Sequence, residues 1–414
     1  MSDPRGTPLP TAPQNSVSAP PRLLSVDALR GFDMFWIIGG EEVAKALQPL
    51  SDGAVLTAFV TQLKHVEWQG FRFFDAIFPL FLFLVGVSIV LSFERQRATL
   101  GRGAALVRIA RRSVLLFALG IFYYGGITRT WPDVQILGVL PRIALCYFFA
   151  ASLYVLVPRK GIVVAAVLCL AGYWAAMTFV PFPDVNLAHG TVGKRGSQAD
   201  VKPASVLTAG VTTTVRGTFE EGRNLAHYVD FRLLPGKKRN LHYTNEGLLS
   251  TVPAVATTLF GIMAGWLLTS QRWSGRQKVA WLLGAGALAI GLGLLWGLQF
   301  PVIKRLWTSS FCLVASGFAA MLLGVFYLVV DVWCWRKWCT PFLWIGSNAL
   351  TVYLAVNLVD FDAIAARFVG GDLKAYLELQ LAKGSGGLLI AAIGLLLPVL
   401  LVRFLYQRRI FIRL

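Results

Sequence analysis

Ten stretches of this sequence are apolar for as long as a helix takes to cross a lipid bilayer. About 20 such residues span the hydrocarbon, and runs of that order occur at 27–44, 71–92, 106–127, 134–156, 161–181, 247–269, 279–298, 307–331, 340–358 and 386–406. The spacing predicts an all-α, polytopic membrane protein with about ten transmembrane helices. A closed β-barrel is the other architecture that satisfies every backbone polar group in lipid. Runs such as 281–298 and 386–402 argue against it, because they show no alternation of apolar and polar residues. Only 14% of the residues are charged, against about a quarter in soluble domains, too few to clothe a water-soluble core.

The net charge of +18 invites a nucleic-acid partner, but its distribution argues against one. With the amino end inside, twenty of the 39 Lys and Arg residues fall at cytoplasmic ends and connections, among them Arg95, Arg108, Arg111, Arg112, Arg159, Arg272, Arg336 and Arg408. Ten fall in short outer segments and nine in the long loop 182–246. Long loops cross membranes whatever their charge, so the short connections decide orientation. They predict both termini in the cytoplasm of a multi-pass protein, with the lipid bilayer as its partner.

Residues 1–21 are rich in Pro, Ser and Thr and have no apolar stretch; they read as a disordered cytoplasmic tail and not as a signal peptide. Residues 22–414 read as one transmembrane domain carrying the extracytoplasmic loop 182–246. The first half of that loop is polar and Gly-rich. Its second half, RNLAHYVDFRLLPGKKRNLHYTNEG, mixes aromatic and charged residues in the manner of a packed element. A smaller outer segment at 359–385 is expected to hold an amphipathic helix at 373–381. The five cysteines have no metal-ligand spacing, and Walker and dinucleotide Gly-rich motifs are absent. Metal, ATP and NAD are therefore not expected.

Ionisable groups at membrane depth are costly unless paired or hydrated, so they mark the candidate site. Asp27, Arg30 and Asp33 are spaced three apart and share a helical face. They read either as a self-neutralised ladder at the inner interface or, through Arg30, as a ligand for an anion such as phosphate. The same helix ends with Glu41 and Glu42, acids at a C-terminus that the helix dipole disfavours. His65 precedes the second span on its outer side and Asp75 lies just inside it; a histidine there suits proton transfer near neutral pH. Arg142, next to Pro141 in the outer half of span four, is the expected counter-ion of Asp75. Glu246 opens span six, Lys304 and Arg305 lie before span eight, and Asn348 sits within span nine as a polar group that needs a partner.

The tracts RLLSVDALRGFDMFW, HVEWQGFRFFDAIFPLFLFLVGVSI, ILGVLPRIALCY, NLAHYVDFRLLPG, EGLLSTVPAVATTLFGIMAG, KRLWTSSF and WIGSNALTVY together resemble the bacterial relatives of heparan-α-glucosaminide N-acetyltransferase, a transmembrane acyltransferase family. They run in the family's order over about 22–358. The resemblance implies a bacterial inner-membrane enzyme that moves an acetyl or other short acyl group from cytoplasmic acetyl-CoA to an amino sugar or cell-envelope glycan outside. The family's active histidine matches His65. The sequence departs from the family at IIGGEEV and at Thr244–Gly247, both near the expected acceptor region. The expected roles are then His65 and Asp75 in catalysis, Arg142, Glu246, Lys304 and Asn348 on the acceptor, and Arg30 on the CoA phosphates. A transporter of a sugar or muropeptide, using Asp75, Arg142 and Glu246, is the alternative, although no internal repeat supports it. Monomer and homodimer are both open.

Overall fold

The computed structural model describes residues 23–50, 53–96, 101–128, 130–188 and 204–411; the expected tail at 1–21 and residues 189–203 of the long loop lie outside the described residues. The fold is an all-α membrane bundle. Among the described residues, seven helices are long and apolar enough to cross a membrane, namely Phe73–Glu94, Val139–Leu156, Arg159–Phe179, Thr251–Thr269, Gly275–Gly297, Ser309–Val332 and Ser385–Gln407. An eighth crossing is the pair Lys337–Ser347 and Ala349–Leu358, if the two count as one span. The expected continuous helix at 340–358 is thereby corrected, because the chain bends by 68° at Asn348. The two remaining expected spans are also helical but more charged. Residues 24–46 run as an α-helix Leu24–Phe35, a π-turn Trp36–Gly40 and an α-helix Glu41–Ala46. The helix Arg102–Tyr123 carries Arg108, Arg111 and Arg112.

Small residues let the central helices touch backbone to backbone, the usual source of helix association in lipid. A Cβ on Gly261 would stand 1.9 Å from the Phe83 carbonyl oxygen, and one on Gly86 would stand 2.0 Å from that of Thr258. The helices Ile77–Gln96 and Thr251–Thr269 therefore lock together at the centre. Gly31 and Gly346 make the same contact between the first helix and Thr340–Ser347. The helix Thr251–Thr269 is the most enclosed, with 72% of its apolar window buried, and Ser385–Gln407 the least, at 17%. Exposed stripes such as Val163, Val164, Val167 and Leu168 give the outside of the bundle the apolar face that lipid requires.

The second half of the long loop is packed. Asn224 caps the helix Leu225–Leu233 by accepting the His227 N–H, which satisfies one of the donors a helix start leaves open. Asp230, on that helix, accepts the N–H groups of Thr244 at 3.3 Å and Leu248 at 2.8 Å. It thus ties the loop to the entry of the helix Thr251–Thr269. Burial pushes the Asp230 pKa up to about 7, and burial pushes that of His227 down to about 3. In the segment 359–385 there are two short helices, Phe361–Val369 and Asp372–Gln380. The first has the buried face, through Ala365 and Val369, while the second, at the expected position, has none.

Candidate active site

His65 lies in the connection before the helix Ile77–Gln96, and Asp75 lies in the 3-10 turn Phe73–Ala76 that opens it. The connection folds back because Asp75 gathers it. One carboxylate oxygen is 2.8 Å from His65 Nδ1, and the other accepts the backbone N–H groups of Arg72 at 3.1 Å and Val66 at 3.3 Å. Asp75 is 1% exposed at its side chain and His65 is 53% exposed. The arrangement is a buried acid behind an accessible imidazole. A carboxylate can only accept a hydrogen bond, so Nδ1 carries the hydrogen and Nε2 keeps its lone pair.

Lys304 completes the group from the connection between Gly275–Gly297 and Ser309–Phe326. Its Nζ is 3.4 Å from Asp75 Oδ1, and on the His65 ring it lies 3.0 Å from Nδ1 and 3.4 Å from Nε2, the nitrogen that can accept from it. Burial lowers its pKa and the charge of Asp75 opposes that shift. Here the expected pairing of Arg142 with Asp75 is corrected. Arg142 is 1% exposed and turns instead toward the entry of the helix Thr251–Thr269. There it donates to the Gly247 carbonyl at 3.2 Å and to the Ser250 hydroxyl, and its guanidinium lies 5.2 Å from the Trp307 ring centre. The turn before that helix presents a carbonyl and a hydroxyl oxygen that Arg142 Nη2 reaches together, and Lys304 fills the position beside the carboxylate.

A cavity of about 370 Å³ opens in front of this group, beneath the packed half of the loop. His65, Arg142, Glu246 and Lys304 all line it. Asp75 stands behind His65 and reaches the cavity through it. Glu246 is 8% exposed and lies in the turn before the helix, which starts at Thr251. Trp68, Phe74, Phe78, Trp307 and Tyr353 supply aromatic walls, surfaces against which a sugar ring can lie.

Two predicted residues are elsewhere. Asn348 sits at the break between Thr340–Ser347 and Ala349–Leu358, 1% exposed, with neither side-chain polar atom hydrogen-bonded among the described residues. Leu350 and Tyr353, on the helix that follows, reach the cavity in its place. Arg30 lies toward the opposite end of the bundle, donating to Asp27 at 3.0 Å and to the Ser88 hydroxyl at 2.7 Å. Asp33 does not join that ladder; it is fully buried and has no hydrogen-bond partner among the described residues.

The structure adds cavity residues to which the sequence reading gave no role. Glu41 is one; it opens the helix Glu41–Ala46, where the dipole favours an acid, so the expected helix end at Glu41 and Glu42 is corrected. Arg239 and Asn245 come from the packed loop. Arg305 donates to Glu221 at 2.7 Å, and Glu221 in turn accepts from the Tyr243 hydroxyl at 2.8 Å. This clamp joins the loop to the cavity rim, and no short-range pattern announces it.

Residues 22–203 match the family model described as heparan-alpha-glucosaminide N-acetyltransferase, catalytic. The chain is similar to two curated proteins of that name. It is 28% identical to the Homo sapiens heparan-alpha-glucosaminide N-acetyltransferase over 380 residues, 81% of this chain and 52% of that protein. It is 27% identical to the Mus musculus protein of the same name over 333 residues, 72% of this chain and 49% of that protein. The chain thus spans about half the length of the curated relatives it matches. His65, Asp75 and Arg142 fall inside the family match, whereas Glu246, Lys304 and Asn348 fall beyond residue 203.

Proposed function

We propose that this protein is a transmembrane acetyltransferase that moves an acetyl group from cytoplasmic acetyl-CoA to the amine of an amino sugar, free or in a cell-envelope glycan, on the outer side. The observation that carries the reading is the buried Asp75 behind the accessible His65 at the wall of the cavity, within a chain related to N-acetyltransferases. Both termini are cytoplasmic in this reading, and the chain crosses the membrane ten times once the charged helices at 24–46 and 102–123 are counted.

The chemistry follows from the residues. An amino sugar enters as an ammonium, which Glu246 and Glu41 attract. His65 Nε2 takes one of its protons, the freed nitrogen attacks the thioester carbon, a C–N bond forms and the C–S bond breaks. The imidazolium passes that proton to the CoA thiolate, and the nitrogen loses a second proton to solvent as the neutral amide forms. Asp75 holds the imidazole in the productive tautomer and stabilises the imidazolium. Lys304 is placed to stabilise the oxyanion. An acyl-imidazole on His65 is the other route, and exposure of His65 to the cavity favours the base, because such an intermediate hydrolyses readily. Ser88 and Asp75 are thirteen residues apart, about 20 Å along helix at ~1.5 Å per residue, so the donor's pantetheine arm has to reach through the inner half of the bundle.

The test is to incubate purified protein with radiolabelled acetyl-CoA and a panel of amino sugars. Labelled N-acetyl sugar with matching release of CoA is expected. Absence of transfer together with sugar counterflow in proteoliposomes would establish the transporter instead.

A further inference from the structure

Among the described residues, six charged side chains line the cavity, and four of them are already held. Arg142 meets the Gly247 carbonyl and the Ser250 hydroxyl, and Lys304 meets Asp75. Arg305 pairs with Glu221, and Glu41 pairs with Lys45. The remaining two, Arg239 and Glu246, have no hydrogen-bond or ion-pair partner among the described residues, and they do not pair with each other. Glu246 is buried, where a carboxylate is costly unless its charge is met. The charges of both act on the Tyr124 hydroxyl, which sets them on one side of the cavity, and that of Glu246 reaches Lys304 as well.

Both residues sit in one short stretch of the packed loop, and its internal bonds fix their spacing. The Asn240 N–H donates to the Tyr243 carbonyl at 3.0 Å, and Asn240 Nδ2 donates to Asn245 Oδ1 at 3.1 Å. Asp230 holds the N–H groups of Thr244 and Leu248, on either side of Glu246. The Asn245 Nδ2, on a residue that lines the cavity, is left without a partner among the described residues. A cation and an anion held apart on one wall match a solute of the opposite order, with an ammonium toward Glu246 and an anion toward Arg239 and the Asn245 amide. Charge-assisted hydrogen bonds are the strong ones, and a sugar fixed at both points presents its amine in one orientation. An amino sugar with no anion leaves Arg239 unmatched.

We propose that the acceptor is a zwitterion, an amino sugar carrying a carboxylate or phosphate of its own, and that Arg239 and Asn245 read this anion while Glu246 takes the ammonium. The proposal rests on the acetyltransferase reading and narrows its acceptor. Arg239 and Asn245 act on binding and orientation, and the chemistry at the amine stays with His65 and Asp75.

The test takes two readouts on the full chain in nanodiscs: equilibrium binding of radiolabelled sugar with no donor present, and transfer from acetyl-CoA. Muramic acid supplies the carboxylate, glucosamine 6-phosphate the phosphate, and glucosamine the ammonium alone. At least one zwitterion binds about tenfold more tightly than glucosamine and is preferred about tenfold in kcat/KM, the effect of one charge-assisted contact; the better of the two names the anion. Arg239→Gln erases the preference in both readouts. Arg239→Lys keeps part of it, because the charge remains while the planar fork is lost. Arg232→Gln is the control, since Arg232 is exposed on the helix Leu225–Leu233 of the same loop and is not part of the cavity wall; it leaves the preference unchanged. Transfer to glucosamine with no preference for either zwitterion, a preference that survives Arg239→Gln, or one that falls equally in Arg232→Gln would overturn the proposal and leave the acetyltransferase reading standing. Binding of a zwitterion that depends on Arg239, by a wild-type protein that acetylates no amino sugar, would support the Arg239 site and overturn the acetyltransferase reading. Neither binding nor transfer of any of the three sugars would overturn both.

Discussion

In the Asp75→Asn variant the change is one atom, and the surroundings dictate how the new amide sits. The backbone N–H groups of Arg72 and Val66 both point at one carboxylate oxygen, so the amide oxygen takes that place. The amide nitrogen then faces His65 Nδ1 across the 2.8 Å contact. Two donors cannot face each other, so Nδ1 becomes the acceptor and the hydrogen moves to Nε2. The lone pair that faced the cavity is lost. A positioned general base contributes about 10²–10⁴ in rate, and we expect kcat to fall about 10³-fold, equivalent to about 4 kcal/mol of transition-state stabilisation. Lys304 also loses its carboxylate partner, a loss of about 1–3 kcal/mol in stability that lowers the thermal midpoint without abolishing folding. The assay is transfer of labelled acetyl to an amino sugar at saturating acetyl-CoA, with tryptophan fluorescence melts and CoA binding in parallel. A folded, CoA-binding Asn variant that keeps most of the wild-type rate would refute the dyad. His65→Ala should abolish transfer with CoA binding intact.

Other outcomes follow from the packing and the charges. Gly261→Ala places a methyl group against the Phe83 carbonyl oxygen and is expected to destabilise by about 1–3 kcal/mol through overpacking. Gly284→Ala, which meets nothing within 4 Å, is neutral or slightly stabilising through helix propensity; equal melting points would contradict the backbone contact. The pH dependence of stability rests on two loop groups. Asp230, raised from 3.8 to about 7, contributes stability that is complete below 3.8 and is lost as pH rises toward 7. His227, lowered from 6.5 to about 3, contributes stability that is complete above 6.5 and is lost as pH falls toward 3. The two oppose each other between 3.8 and 6.5, so Asp230→Asn removes the falling limb and makes the melting temperature rise with pH through that window; an unchanged profile would sink the assignment. Reporter fusions at residues 160 and 275 should read cytoplasmic and those near 60 and 215 extracytoplasmic, and the reverse pattern would overturn the proposed topology.

Much of the bundle was legible because hydrocarbon imposes one rule on every spanning segment, and length and polarity report it locally. The rule is weakest where function interrupts it. Residues 24–46 carry acids and bases along a helix broken by a π-turn, with Gly39 at a φ of 141°, and residues 340–358 bend at Asn348. The sequence read both as ordinary spans, because apolar content does not encode direction. The partners of the loop residues were hidden for another reason. Asp230 and Glu221 act on groups far along the chain, and a packed loop has no period from which such pairs can be read.

The exchange of Arg142 for Lys304 beside Asp75 shows where reading by charge alone stops. Arg142 and Lys304 both line the cavity, and either satisfies the requirement that a buried carboxylate have a counter-ion. Geometry decides between them. Arg142 carries a rigid guanidinium, and its Nη2 donates to the Gly247 carbonyl and the Ser250 hydroxyl at a helix entry, where the Thr251 hydroxyl also donates to that carbonyl at 2.8 Å. A guanidinium keeps its charge at any accessible pH, so beside His65 it would hold a fixed positive field against protonation of the base. Lys304 is different in kind. It is a single ammonium on a flexible stem, its pKa already lowered by burial. It can shed a proton or swing between Asp75 and a developing oxyanion. Placing the permanent charge on the scaffold and the titratable one beside the base leaves His65 free to change protonation state. That division accounts for the pairing the structure adopts, and it assigns the loss from Arg142→Lys chiefly to stability and the loss from Lys304→Arg chiefly to the pH dependence of kcat.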